Sequence, residues 1–280
     1  MEPLVTLTFW GVRGSIPSPG VHTVVFGGNT SCVSVEYQDH ILIFDGGTGI
    51  HKLGRHLEAR EDLHAIKGHI FLSHMHWDHI QGLPFFSPAF SEENKFMIYG
   101  EEKYKRALPQ VLKGQMQRPY FPVDMDTLFR AEIIFHEVNV KQTIHIHPTI
   151  AITPFRLTHP NGSLGYLLDI EALRVAYVTD HEHRLGQLSP NVLEMTSSVD
   201  ILIHDAQYTR EQLATSKKGW GHSAWEDVVE LAITSQVERL FLFHHDPDTS
   251  DTELNERQLL AQRLFPHTTV AREGLKVPLS

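Results

Sequence analysis

One cysteine, Cys32, occurs in the 280 residues, so no intrachain disulfide can form and no thiolate cluster can hold a metal or an iron–sulfur centre. Any metal must therefore be held by imidazoles and carboxylates. No run of about 18 apolar residues is present, which excludes a membrane-spanning helix of ordinary length. The opening Met1-Glu2-Pro3-Leu4-Val5-Thr6 lacks the basic segment of a secretory leader, and the expectation is a cytoplasmic protein. The chain also lacks a dense stripe of Lys and Arg, and its formal net charge is −10. Long nucleic acid is bound chiefly through clustered basic contacts to phosphates, so it is not the expected partner. Neither internal repeats nor a low-complexity linker appear. With 41% apolar residues the composition is that of a globular protein with ample core.

Histidine, by contrast, is abundant: there are 20. The chain is organised around His69 to Gly82, where Ile70-Phe71-Leu72 has the composition of a buried strand and is followed by His74, His76, Asp78 and His79. Neutral imidazoles and a carboxylate are ligands suited to divalent cations of zinc's kind, and a strand end holds them rigidly. His74 and His76 can turn to one cation while Asp78 and His79 turn to another, so the spacing suggests two metals close together. A histidine-rich surface turn is the plainer reading of any one of them; four in this pattern directly after a buried strand argue against it.

His74-x-His76-x-Asp78-His79 resembles the signature of the metallo-β-lactamase superfamily. That resemblance implies an α/β fold, a four-layer αββα sandwich of the metallo-β-lactamase type, spanning 1–280 as one domain with helices outside two packed sheets. It further implies that remaining ligands lie at later strand ends. Thr149 to Leu157 ends near His159, Val175 to Val178 ends near Asp180, and Leu240 to Phe243 ends at His244-His245. By the resemblance His74, His76 and His159 hold one metal, Asp78, His79 and His244 the other, and Asp180 bridges them; His245 is the alternative to His244. Asp45, after Ile41 to Phe44, resembles the aspartate that buttresses the histidine ligands. The cofactors expected are two divalent ions, zinc first, with manganese or iron as alternatives.

Two further stretches narrow the branch. His204-Asp205-Ala206-Gln207-Tyr208 and Gly221-His222-Ser223 resemble the paired acidic and histidine motifs of the tRNase Z and cyclic-nucleotide phosphodiesterase branch, although Asp205 stands where a glutamate is usual. The carry-over makes Asp78, Asp205 and His222 the catalytic set: Asp205 orients His222, which donates a proton to the leaving alkoxide or clamps a phosphate oxygen. Ser223 with Glu226 predicts a capping box for a helix running to about Ser235. Phe9-Trp10-Gly11-Val12-Arg13-Gly14-Ser15 and Gly27-Gly28-Asn29-Thr30-Ser31 are similar to the opening of cyclic-nucleotide phosphodiesterase-like bacterial proteins. Only two short strands separate His159 from Asp180, where tRNase Z carries its tRNA-binding arm.

The expected function is therefore cleavage of a small anionic phosphodiester, such as a cyclic nucleotide, by a metal-bridging hydroxide. The alternatives are a lactam or thioester hydrolase, an RNA-processing nuclease, a flavodiiron-type redox site, or a non-catalytic scaffold. A segment at about 83–130, rich in aromatics such as Phe85, Phe86, Tyr104, Tyr120 and Phe121, is read as an insertion open to three roles: ordinary α/β structure with a helix near Lys103 to Leu112, a wall of the active site, or a homodimer contact.

Overall fold

The computed structural model describes residues 5–101, 106–184 and 186–279. Leu4 of the opening stretch, and Lys103, Tyr104 and Lys105 of the aromatic segment, lie outside the described residues. The strands are β1 (Val5–Gly11), β2 (Cys32–Tyr37), β3 (His40–Phe44), β4 (Lys67–Phe71), β5 (Lys95–Gly100), β6 (Glu132–Glu137) and β7 (Ile144–His147). They continue with β8 (Ile150–Leu157), β9 (Ser163–Ile170), β10 (Leu173–Val178), β11 (Ile201–Asp205), β12 (Arg239–Phe243), β13 (Thr268–Val270) and β14 (Lys276–Leu279). The α-helices of the described residues are α1 (Gly49–Glu58), α2 (Trp77–Ile80), α3 (Leu108–Gln115), α4 (Met125–Leu128), α5 (Pro190–Met195), α6 (Arg210–Thr215), α7 (Trp225–Thr234) and α8 (Asp251–Leu264).

Two compact units result, one formed by 1–17, 27–138 and 272–280, the other by 18–26 and 139–271. The first carries a seven-stranded sheet in the order β14-β1-β2-β3-β4-β5-β6. Its strands are antiparallel from β14 to β3 and parallel from β3 to β6. Ile41, Leu42, Ile43 and Phe44 are all buried, as expected of a parallel strand covered on both faces. One of its cores packs Ile43, Ile70, Phe96 and Ile98 with Ile50, Leu53 and Leu57 of α1. The second unit carries the order β13-β12-β11-β10-β9-β8-β7, parallel from β13 to β10 and antiparallel from β10 to β7. Leu202, Leu240 and Leu242 pack there with Val228, Val229 and Ala232 of α7 and Leu254 of α8.

In each unit the parallel strands leave their carboxyl ends together, and in open α/β sheets those ends are where ligands are held. β3 runs into Asp45 and β4 into His74; β10, β11 and β12 run into Asp180, Asp205 and His244. No helix among the described residues is long and apolar enough to cross a membrane.

Two expectations require correction, the capping box and the start of the helix within 83–130. α7 has Ala224 as N-cap and no side-chain cap, so the Ser223–Glu226 box does not form. The Ser223 hydroxyl instead donates to the His181 carbonyl (2.5 Å), and Glu226 accepts the Arg210 N–H (3.1 Å), so both side chains are taken by tertiary partners. Within 83–130, Lys95–Gly100 is the interior strand β5, paired with β4 and β6, so this part of the aromatic segment is built into the sheet. The helix expected near Lys103 to Leu112 begins at Leu108. β7, β13 and β14 are not anticipated by hydrophobic patterning; β14 contains Pro278, which an edge strand tolerates because one row of its N–H groups needs no partner. The last helix, α8, is capped by Ser250 and Glu253.

Candidate metal centre

In the first unit the chain leaves β4 and places three imidazoles side by side. The His74 ring lies 4.3 Å from His76 and 4.3 Å from His79, centroid to centroid. Asp78 Oδ2 is 3.2 Å from His79 Nε2. The Nδ1 atoms of His74 and His79 have partners of their own. His79 Nδ1 donates to Asp45 Oδ2 (2.8 Å), and His74 Nδ1 is 3.1 Å from Ser73 Oγ. Asp45 is fully buried and also accepts the Ser73 N–H (2.7 Å) and Ser73 hydroxyl (2.9 Å). Fixing the outer ring nitrogen selects the tautomer whose Nε2 lone pair is available to a cation. Asp78 is held from outside the motif: the Ser15 N–H donates to its Oδ2 (2.7 Å). Trp77, between two of these residues, is 78% exposed, whereas Met75 packs against the core of this unit.

The turn beneath this cluster is tightly built. A Cβ at Gly47 would stand 2.2 Å from the Asp78 carbonyl oxygen, so the Asp45-Gly46-Gly47 turn can approach α2 only without a side chain there.

In the second unit Asp180 is central. Its Oδ1 lies 3.1 Å from His244 Nε2, and its Oδ2 lies 3.6 Å from His159 Nε2. One carboxylate thus offers a different oxygen to each of two imidazoles, an arrangement compatible with a ligand shared by two cations. Asp180, Asp205, His222 and His244 offer donor atoms within 4.8 Å of one another. The outer nitrogens are again fixed: His159 Nδ1 donates to the Gly221 carbonyl (3.0 Å) and His244 Nδ1 to Gln207 Oε1 (3.1 Å). His245 Nε2 instead donates to the Ala271 carbonyl (2.8 Å), and its ring meets Phe26 edge-on, so the two adjacent histidines have different environments.

Asp205 organises the rest. Its Oδ2 accepts the Nδ1–H of His222 at 2.7 Å, with both residues buried, and its Oδ1 accepts the Gln207 N–H at 3.0 Å. Asp45, Asp180 and His244 all have positive φ (61°, 51° and 58°), a region costly for residues with a Cβ and sustained only where surrounding bonds enforce it.

Behind Asp180 and Asp205 lie three more buried histidines. Thr158 N–H donates to His181 Nδ1 (3.0 Å), His181 Nε2 lies 3.2 Å from His183 Nδ1, and His204 Nδ1 donates to the Asp205 carbonyl (2.7 Å). Burial, reinforced by mutual repulsion, holds His181 and His183 well below the ordinary imidazole range, and burial brings His204 to about 4. These groups fold neutral, so their stabilisation is present above the unfolded value of 6.5 and is lost as pH falls toward 4. For His204 alone the difference corresponds to about 3 kcal/mol at full protonation. Chelator-treated protein, in which metal release cannot contribute, is expected to lose melting temperature steeply between those pH values, and His204→Leu to flatten that slope in thermal denaturation.

Gly221 adopts φ +90°, and a Cβ on it would stand 2.1 Å from His159 Nδ1. Gly221→Ala is expected to displace His159 and to weaken metal affinity by about 10 to 100-fold in a competition titration, the scale seen when a ligand's outer partner is lost.

Every site residue read from the sequence thus falls in one of two clusters, His74, His76, Asp78 and His79 in one unit and His159, Asp180, Asp205, His222 and His244 in the other. Sequence reading did not identify the supports Ser15, Ser73, Gln207 and the Gly221 carbonyl, although each lies in or beside a motif already singled out.

The Beta-lactamase superfamily domain profile matches residues 40–245. The chain belongs to this superfamily. Among its relatives is a Ribonuclease Z of Porphyromonas gingivalis, 22% identical over 88% of this chain and 91% of the relative. Among solved structures, a diphosphatase of the PhnP family superposes with a TM-score of 0.71 at 20% identity, covering 99% of this chain and 98% of the other. The short form of human tRNase Z gives 0.68 at 19% identity, covering 98% and 99%. The superfamily placement agrees with the α/β fold of two helix-flanked sheets.

Proposed function

We propose that the chain is a metal-dependent phosphodiesterase that holds two divalent cations, zinc foremost, and cleaves a small nucleotide-type diester. By the superfamily resemblance, the ligands would be His74, His76, Asp78 and His79 of the first unit and His159, Asp180 and His244 of the second. The donor set fits this role: it is imidazole and carboxylate throughout, with outer nitrogens fixed by acceptors and one carboxylate presenting its two oxygens to different histidines. When bound, such a pair supplies Lewis acidity and a water acidic enough to attack near neutral pH.

The observation that carries the phosphodiester reading is the buried Asp205–His222 pair at 2.7 Å. An alkyl phosphodiester expels an alkoxide, a strong base, and a proton must reach it as the P–O bond breaks. Asp205 fixes the Nδ1–H of His222, stabilises the imidazolium, and leaves Nε2 to deliver that proton. A lactam or thioester hydrolase has no comparable need for this pair.

The choice between a small diester and tRNA rests on other features. The relatives named Ribonuclease Z support an RNA-processing alternative. Against it, β9 and β10 between His159 and Asp180 are joined by Glu171 and Ala172 alone, leaving no room for the arm associated with tRNA, and the net charge is −10. The deciding assay offers metal-loaded protein bis(p-nitrophenyl) phosphate, 3′,5′- and 2′,3′-cyclic nucleotides, precursor tRNA, a lactam and a thioester. Turnover of the small diesters, abolished by a chelator, is expected. Turnover of the lactam or thioester alone would refute the diesterase reading, and cleavage of precursor tRNA alone would replace the small substrate by RNA.

A further inference from the structure

The loop that delivers His222 presents an aromatic ring and a cation that the chemistry above does not use. Lys217 to Gly221 connects α6 to α7 and hangs on one carboxylate: Glu182 Oε1 accepts the Gly219 N–H (2.9 Å) and Oε2 the Gly221 N–H (2.7 Å). Both glycines have positive φ, 82° and 90°, which the loop needs to turn both amides toward Glu182. The same Gly221 gives its carbonyl to His159 Nδ1, so the loop is fixed to the metal centre rather than loose beside it.

Trp220, in the middle of this fixed loop, is 55% exposed. Lys217 Nζ stands 4.0 Å from its ring centroid and 5.2 Å from that of Tyr208. The Tyr208 ring in turn lies 5.7 Å from the His222 imidazole at 78°. A continuous row therefore runs from His222 through Tyr208 and Lys217 to Trp220. The Lys217 ammonium has no carboxylate partner among the described residues and lies against the two aromatic faces. A large apolar ring held open to water on a pinned loop, one face under an unpaired cation and beside a proton donor for a phosphate ester, is built to take a flat ligand with negative charge.

We propose that Trp220 is the platform on which the nucleobase of the substrate stacks, with Lys217 meeting the charge of its phosphate. This inference rests on the phosphodiesterase reading and names the substrate class more closely: a nucleotide diester rather than a diester of any alcohol. Every base has a π-face, so the platform sets a requirement for a base without choosing which one.

The test compares thymidine 5′-(p-nitrophenyl phosphate) with methyl p-nitrophenyl phosphate, which differ in the nucleoside and share the leaving group. In the metal-loaded wild-type protein kcat/KM is expected to favour the thymidine ester. Trp220→Ala is expected to reduce that preference about 10 to 100-fold through KM, and Trp220→Phe to restore most of it. Lys217→Met is expected to raise KM for the thymidine ester and to weaken its dependence on ionic strength. An unchanged ratio of the two kcat/KM values in Trp220→Ala would overturn the platform. So would an equal loss on both esters accompanied by a change of oligomeric state in sedimentation, which would make Trp220 an interface between copies. Binding of thymidine 5′-monophosphate, followed by quenching of tryptophan fluorescence and compared with Trp220→Phe, separates this inference from the reaction itself. Quenching that depends on Trp220 in a protein that cleaves no diester would retain the platform and reject the phosphodiesterase.

Discussion

Asp180→Ala is expected to remove turnover, by about 10³-fold or more, and to lower bound metal together with it. Asp180 belongs to every group of donor atoms assembled around the second unit's strand ends, and its two oxygens face His244 Nε2 at 3.1 Å and His159 Nε2 at 3.6 Å. Truncation takes an oxygen from both positions at once and leaves neighbouring imidazoles without the negative charge that offsets two cations. Alanine keeps a Cβ at φ 51°, so the substitution relieves no backbone strain there. Metal analysis by mass spectrometry beside rate measurements separates the effects. Full metal content with full activity would show that Asp180 is not shared. Asp180→Asn tests charge against shape: the amide keeps the volume and one acceptor oxygen, so it is expected to retain more metal than the alanine variant and still turn over slowly.

His222→Ala is expected to leave metal content unchanged and to slow diester cleavage by about 10² to 10⁴, the ordinary contribution of a general acid. The effect depends on the leaving group. p-Nitrophenolate is a weak base that departs without a proton, whereas the alkoxide of a nucleoside requires one. The loss is therefore expected to be large for a cyclic nucleotide and small for bis(p-nitrophenyl) phosphate, and equal losses on both would assign His222 to phosphate binding instead. Asp205→Asn should resemble His222→Ala only in part, since an amide can still hold the His222 Nδ1 side but does not stabilise an imidazolium; the two changes combined should cost no more than the larger alone. Because Asp205 also accepts the Gln207 N–H at 3.0 Å, and Gln207 accepts from His244 Nδ1, this variant is expected to lower metal affinity slightly, which His222→Ala is not.

The ligand-bearing residues were legible because they follow short apolar runs. Ile70-Phe71-Leu72, Val175 to Val178 and Leu240 to Phe243 each read as a buried strand whose next polar residues emerge at its carboxyl end, and the parallel pairing of those strands gathers the ends. The supports were not legible, because each joins residues distant in the chain: Ser15 to Asp78, Gln207 to His244, Gly221 to His159. No local pattern encodes such a pair. The positive φ of Asp45, Asp180 and His244 was equally hidden, since Asp and His tolerate this region better than most residues without marking where it occurs; the enforcing bonds come from tertiary structure. The Ser223–Glu226 box misled because local capping competes with distant acceptors, and here the His181 carbonyl wins. In 83–130, where ordinary α/β structure was one of three readings, Lys95-Phe96-Met97-Ile98-Tyr99 pairs on both sides inside a sheet, in keeping with that reading.

The chemistry proposed for the two clusters stands or falls on cation stoichiometry. The most direct test strips the protein of metal with a chelator, returns zinc in measured equivalents, and follows the initial rate on bis(p-nitrophenyl) phosphate. The expected result is no turnover without metal and a rate that saturates at about two equivalents per chain. Full diesterase activity in the stripped protein, or a fully loaded protein that leaves every phosphodiester intact, would contradict it.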